Sequence, residues 1–172
     1  FSLFQVIVVD ILVKKKELNI SLPESRSFYL GMTPFAYDDT PQAAEETYSI
    51  VAEHTDLICH HFDGGVPWIE AFEGKPYHPK VEEDINSRLR HLQKDQKVYL
   101  SITPQIHDRK SLAGYWGEEH NMERPSEWED KNYDDPDVIK AYLNYARYMI
   151  RRFNPDYMAY GIEVDGGFRD TD

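Results

Sequence analysis

The sequence predicts an α/β fold: a parallel sheet laid down by about four consecutive βα units, the N-terminal half of a (β/α)8 or TIM barrel. Two observations predict it. From Phe28 onward, short apolar or aromatic runs alternate with amphipathic stretches, the rhythm of strands joined by crossover helices. The links leading back into strands, "HTD", "QKDQ" and "NPD", are short, whereas the segments leaving the second and third strands are long. In α/β folds ligands bind beyond the carboxyl ends of the strands, so the extra residues lie where a site belongs. The alternative is a small open sheet with helices on both faces. Its dinucleotide-binding form is disfavoured, because the first strand lacks a G-x-G-x-x-G turn. A full barrel typically needs about 250 residues, so a 172-residue chain that stops just after its fourth strand reads as truncated or completed from elsewhere.

Residues 1–27 read as a leader or linker, with a remnant of an export signal as one option. The run "FSLFQVIVVDILV" is apolar but is interrupted by Asp10 and too short to span a bilayer. Residues 28–172 form the barrel-like part. The four strands are "FYLGMTPF" at 28–35, "DLICHHF" at 56–62, "KVYLSITPQ" at 97–105 and "DYMAYGIEV" at 156–164. Between the first two, Thr40 is a natural N-cap and Pro41 suits the first helical position, with Ala44, Tyr48 and Val51 on one face. A second helix begins near Pro79 and places Val81, Ile85, Leu89 and Leu92 toward the sheet. A third is capped by Asp135 with Pro136 just inside it, and its apolar stripe is expected at Ile139, Leu143, Ala146, Ile150 and Phe153.

Composition excludes some function classes. The net charge of -12, from 31 acidic against 19 basic residues, argues against a nucleic-acid surface, which depends on clustered Lys and Arg. No membrane span is expected, and no cofactor. A single cysteine, Cys59, leaves no intramolecular disulfide.

Candidate residues gather at the strand ends. After the first strand, Asp38 is positioned for a substrate hydroxyl, although a carboxylate just before a helix also has a local reason to be there. The stretch "HHFDGGVPW" supplies His60, His61, Asp63 and Trp68. Neighbours on a strand point to opposite faces, so one histidine enters the site and the other packs outward. A polar loop of about thirty residues, long enough to imply function or disorder, follows the third strand and carries Gln105, Tyr115, Trp116 and Trp128. Rings in a polar loop suit sugars, whose C–H faces are apolar and whose rims need hydrogen bonds. His61, Asp63, Trp68, Gln105, Tyr115, Trp116 and Asp38 are therefore the candidate sugar contacts, with Trp128 read as an anchor of the loop. A metal reading would recruit His60 or His61, Asp63, His107 and Asp108, without any H-x-H or H-E-x-x-H spacing to support it.

In "YGIEVD", residues 160–165, Glu163 stands where a hydrophobe would be expected. At the tip of a barrel strand a partly buried carboxyl group is a usable proton donor near neutral pH. The structural alternative is an ion pair with Arg147 or His61.

These stretches resemble the retaining β-glycosidases built on (β/α)8 barrels, including endo-β-1,4-galactanase-like and arabinogalactan-degrading enzymes. The fourth strand of that clan ends in Asn-Glu, and "YGIEVD" looks like that tip with Ile162 in the Asn position. The resemblance implies Glu163 as acid/base. It also implies a nucleophile on a seventh strand, beyond this chain, about 5 to 5.5 Å from the acid/base. The departure at Ile162 removes the usual contact to the sugar 2-hydroxyl. "FYLGMTPFAYD", "HHFDGGVPW", "YWGEEHNM" and "AYGIEVD" look like bacterial exported proteins related to the galactanases, which implies an extracytoplasmic location. The expected function is cleavage of a polysaccharide or oligosaccharide by a two-carboxylate displacement. The alternatives are a non-catalytic carbohydrate-binding barrel and the metal-dependent hydrolase. A free half barrel would expose two sheet edges and self-associate through them.

Overall fold

The computed structural model describes residues 27–164. The expected leader over residues 1–27 lies outside them apart from Ser27, as do residues 165–172. The described chain runs β1 (Gly31–Met32), α1 (Pro41–His54), β2 (Leu57–Phe62), α2 (Trp68–Glu73), α3 (Pro79–Leu89), β3 (Lys97–Ile102), α4 (Ser126–Glu129), α5 (Pro136–Phe153) and β4 (Tyr157–Ala159). The four strands form one sheet in the order β1-β2-β3-β4, all pairs parallel. The α/β class and the parallel sheet are thus as the sequence predicts.

The helix starts arise from local chemistry. The Thr40 side chain accepts from the Ala43 N–H at 3.2 Å, with Pro41 at the first helical position. Asp135 accepts from the Asp137 N–H at 3.0 Å ahead of Pro136. Val81 and Ile85 of α3 are fully buried, as their spacing requires. The face of α5 differs from the expected one. Val138, Ala141, Tyr145, Met149 and Phe153 are buried, while Ile139, Leu143 and Ile150 are exposed. The helix carries apolar residues on two adjoining stripes, and the true one is centred on Tyr145, about one residue round from the predicted stripe.

The hydrophobic core lies on one face of the sheet. Ile58 and Phe62 of β2 and Val98, Leu100 and Ile102 of β3 join the cluster that includes Val51, Val81, Ile85, Met149 and Phe153 from the helices. The alternate residues Leu57, Cys59 and Tyr99 stay outside that cluster, in keeping with the period-two geometry of a strand. Burial of this face is the main stabilising term, at about 25 cal/mol per Å² of apolar surface.

The outer strands are shorter than the sequence predicts. β4 pairs with β3 only from Tyr157 to Ala159, and β3 itself ends at Ile102, just before Pro104. A strand continues only while a partner is there to receive its hydrogen bonds, and Pro has no N–H to offer. Glu163 therefore lies four residues past the strand, in a turn, instead of at its tip.

Exposed apolar surface is concentrated at the two sheet edges. Phe28, Tyr29, Leu30, Met32, Phe35, Tyr37 and Ile50 belong to the first unit, and Ile139, Leu143, Ile150, Tyr157, Tyr160 and Val164 to the last. Among the described residues only Met122 and Tyr133, both in the loop after β3, add to the large exposed apolar side chains. No helix among the described residues is long and apolar enough to cross a membrane.

Candidate functional site

The carboxyl ends of β2, β3 and β4 carry the polar side chains that sequence reasoning looked for. His61 and Ser101 are register partners across β2 and β3, so their side chains share a face. His61 Nδ1 lies 3.0 Å from Ser101 Oγ, and His61 Nε2 lies 3.3 Å from Asp63 Oδ2. Both ring nitrogens are thereby engaged, and the imidazole is held at a fixed angle between a hydroxyl and a carboxylate. Asp63 stands at the lip, with its side chain 45% exposed.

A cavity of about 340 Å³ opens beside this pair, lined by His61, Asp63, Arg88, Trp116, His120 and Asn121 among others. Arg88 sits 4.1 Å above the Phe62 ring, donates to the His61 carbonyl at 2.9 Å and pairs with Asp84 at 3.2 Å. His120 reaches the other oxygen of Asp84 at 3.4 Å and leans on Trp116, with ring centroids 5.2 Å apart. Burial pushes the Asp84 carboxyl up, but the His120 hydrogen bond and the Arg88 guanidinium outweigh it and hold the group below its ordinary range. The glycine pair makes this packing possible. Gly65 has φ of 111°, and a side chain at Gly64 would run into the His120 ring.

Glu163 occupies the same rim. Its Oε2 accepts from Arg109 Nε at 3.1 Å, and its side chain is 70% exposed while that of Arg109 is 10% exposed. Partial burial of Glu163 was the expectation, and the structure corrects it: the turn after Ala159 swings the carboxylate outward onto the loop that follows β3. The ion pair is made with Arg109 and not with Arg147 or His61. Gln105 is 7% exposed, and its Oε1 is buried without a hydrogen-bond partner among the described residues.

The remaining candidates part company with the site. His60 is fully buried on the helix side, with ring centroids 5.1 Å from Phe153 and 6.4 Å from Tyr48, so it is the outward-packing member of the histidine pair. Burial, together with the positive charge of Arg88 and the proximity of His91, pushes its pKa down to about 4. Trp68 is fully buried, donates from Nε1 to the Ala113 carbonyl at 3.0 Å and stacks on Trp128, so it is a core residue and not a sugar platform. Tyr115 is spent on Glu70, to which its hydroxyl donates at 2.7 Å. Asp38 is exposed and accepts from the Asp39 N–H at 2.8 Å, a local role before the helix. Trp116 is 3% exposed, so only an edge of it borders the cavity.

His107 and Asp108 are exposed, with Asp108 accepting from the Lys110 N–H, and neither joins His61. Among the described residues no three His, Cys, Asp or Glu side chains converge as a metal would require.

Sequence reasoning missed Ser101, Asp84, Arg88, Arg109 and His120. Ser101 had a signal, a hydroxyl inside the apolar strand "VYLSI". The others became neighbours only through tertiary packing. The loop after β3 is held in place by Val66, whose N–H donates to the Gly114 carbonyl at 3.0 Å and whose carbonyl accepts from the Trp116 N–H at 3.1 Å. In comparisons with known proteins, no family model, no curated protein and no solved structure matches the chain.

Proposed function

We propose that this chain is the N-terminal half of a (β/α)8 glycoside hydrolase, an extracytoplasmic enzyme that cleaves a polysaccharide or oligosaccharide with retention of configuration. The observation that carries the reading is the distribution of exposed apolar side chains. They lie along the β1 and β4 edges and on α1 and α5, the helices flanking those edges, where a barrel's eighth and fifth units would pack. An apolar core on one sheet face agrees with it, because a barrel keeps its helices outside and its polar rim at the carboxyl ends of the strands.

In this reading Glu163 is the acid/base. It protonates the leaving glycosidic oxygen, then takes a proton from the water that resolves the glycosyl-enzyme. The nucleophile comes from the strands that complete the barrel. His61, held by Ser101 and Asp63, and the Trp116 edge line the sugar cleft. Arg109 occupies Glu163 Oε2, so closure of the barrel or arrival of substrate has to displace it. One observation favours a non-catalytic carbohydrate-binding barrel as the second reading: the exposed, arginine-paired state of Glu163.

The test is hydrolysis by a protein carrying this chain together with the rest of its barrel. Glu163→Gln is expected to slow polysaccharide cleavage by about 10²- to 10⁴-fold, the usual contribution of a general acid/base. Unchanged hydrolysis would remove the assignment, and sugar binding without turnover in the unmodified protein would establish the second reading.

A further inference from the structure

A second pocket lies between α2 and α5 and shares no lining residue with the cavity at the strand ends. It holds about 280 Å³, and its polar groups converge in a way that the fold does not require. Arg147 and Arg151 are four residues apart on α5, a like-charge spacing that weakens a helix. Neither has an acidic partner among the described residues. Arg147 reaches only the Asn144 side chain at 3.4 Å, and Arg151 makes no hydrogen bond there. Among the lining residues Glu70 is the one carboxylate, against Arg147, Arg151 and Lys75.

The other walls add charge and rings. Glu70 receives the Tyr115 hydroxyl on Oε1, and its Oε2 is shielded from the pocket, so it contributes charge and no direct contact. Tyr77 and Tyr148 lie with ring centroids 4.5 Å apart, and the Tyr77 hydroxyl makes no hydrogen bond among the described residues. Lys75 is already neutralised by Glu73 at 2.6 Å, and Glu70 offsets one arginine, so a single positive charge is left uncompensated. That balance fits a monoanion better than a phosphate dianion.

We propose that this pocket binds a uronic acid, its carboxylate held by Arg147 and Arg151 and a ring hydroxyl by Tyr77. The apolar face of the sugar lies against the tyrosine rings, the geometry that ring stacking favours. Arginine suits the task because its planar fork meets a carboxylate with two parallel hydrogen bonds.

Titration calorimetry on the protein that carries this chain, with D-galacturonate, D-galactose, acetate and inorganic phosphate as separate probes, tests the proposal. Galacturonate is expected to bind saturably and at least about tenfold more tightly than each of the others, because galactose lacks the carboxylate that the arginines meet and acetate lacks the ring and its hydroxyls. Arg151→Gln is expected to weaken it by about tenfold, and Arg147→Gln/Arg151→Gln to abolish it. Both side chains are exposed, so an unchanged far-ultraviolet spectrum will accompany the loss. No saturable binding of galacturonate, equal binding of galactose, acetate or phosphate, or retention in the double variant would each overturn the proposal. A trigalacturonate arm separates the two sources of the ligand: tighter binding than the monosaccharide indicates a unit of a polysaccharide, and weaker or equal binding a free sugar acid.

Discussion

Arg109 and Glu163 meet at 3.1 Å across the loops that follow β3 and β4, and both hold left-handed backbone, with φ of 62° and 50°. Left-handed conformations cost a side-chain-bearing residue of order 1 kcal/mol each, and such strain collects at functional sites. The pair therefore ties two unfavourable turns together above the strand ends.

Replacing Arg109 with Asn, which tolerates the left-handed region, removes the pair and eases one of the turns. Because Glu163 is mostly exposed, the ion pair contributes little, and the net change in unfolding free energy is expected to stay within about 1 kcal/mol. Urea unfolding monitored by tryptophan fluorescence checks it. A loss of several kcal/mol would mean that the clasp is a structural cornerstone.

His60 makes the fold acid-sensitive. Its ring nitrogens have no hydrogen-bond partner among the described residues, and its pKa of about 4 lies below the ordinary 6.5 because burial, with Arg88 and His91 nearby, opposes the charged form. Tyr48 and Phe153 pack against it, and Asp84 is the acid that partly offsets the repulsion. The unfolded chain binds a proton on this residue near pH 6.5, whereas the folded one resists until about pH 4. Stability is therefore fully present above pH 6.5 and falls as pH drops toward 4, by about 3 kcal/mol from this group. His60→Leu is expected to flatten that part of the profile in urea titrations between pH 7.5 and 4, and an unaltered slope would contradict the burial argument.

Trp68 separates a core role from a ligand role. Trp68→Ala is expected to destabilise the fold by about 3 to 5 kcal/mol through lost burial and a cavity, with the hydrogen bond to the Ala113 carbonyl lost as well. Trp68→Phe retains much of the packing and is expected to fall between the alanine variant and the parent. Thermal melts of the three proteins measure it. Equal melting temperatures would return Trp68 to the sugar contacts.

Much of the architecture was legible because its causes are local. Thr40 before Pro41 and Asp135 before Pro136 announce helix starts through hydrogen bonds made within three residues. Val81 and Ile85 announce a buried face through spacing alone. The features that escaped depend on neighbours distant in sequence. Ile139, Leu143 and Ile150 are as apolar as the stripe that is buried, and only the packing of α5 on α2 and β3 decides between them. β4 pairs with β3 only as far as Ala159, opposite Ser101, which leaves Glu163 in a turn and not at a strand tip. At the candidate site, His61 and Asp63 were visible in "HHFDGG". Arg88 and His120 reach that cavity from α3 and from the loop after β3, so no spacing along the chain could pair them.

As the proposed acid/base, Glu163 gives a proton to the leaving glycosidic oxygen and takes one from the water that resolves the glycosyl-enzyme. The most direct measurement compares the unmodified protein and its Glu163→Gln variant, each in the completed barrel, on an aryl glycoside with a highly acidic leaving group, with and without added azide. A leaving group that needs no proton spares the first step, so the variant should form the glycosyl-enzyme, stall, and recover turnover as azide replaces water and yields a β-glycosyl azide. A variant that turns over at the parent rate without azide, or that fails to form the intermediate at all, would show that Glu163 does not hold this role.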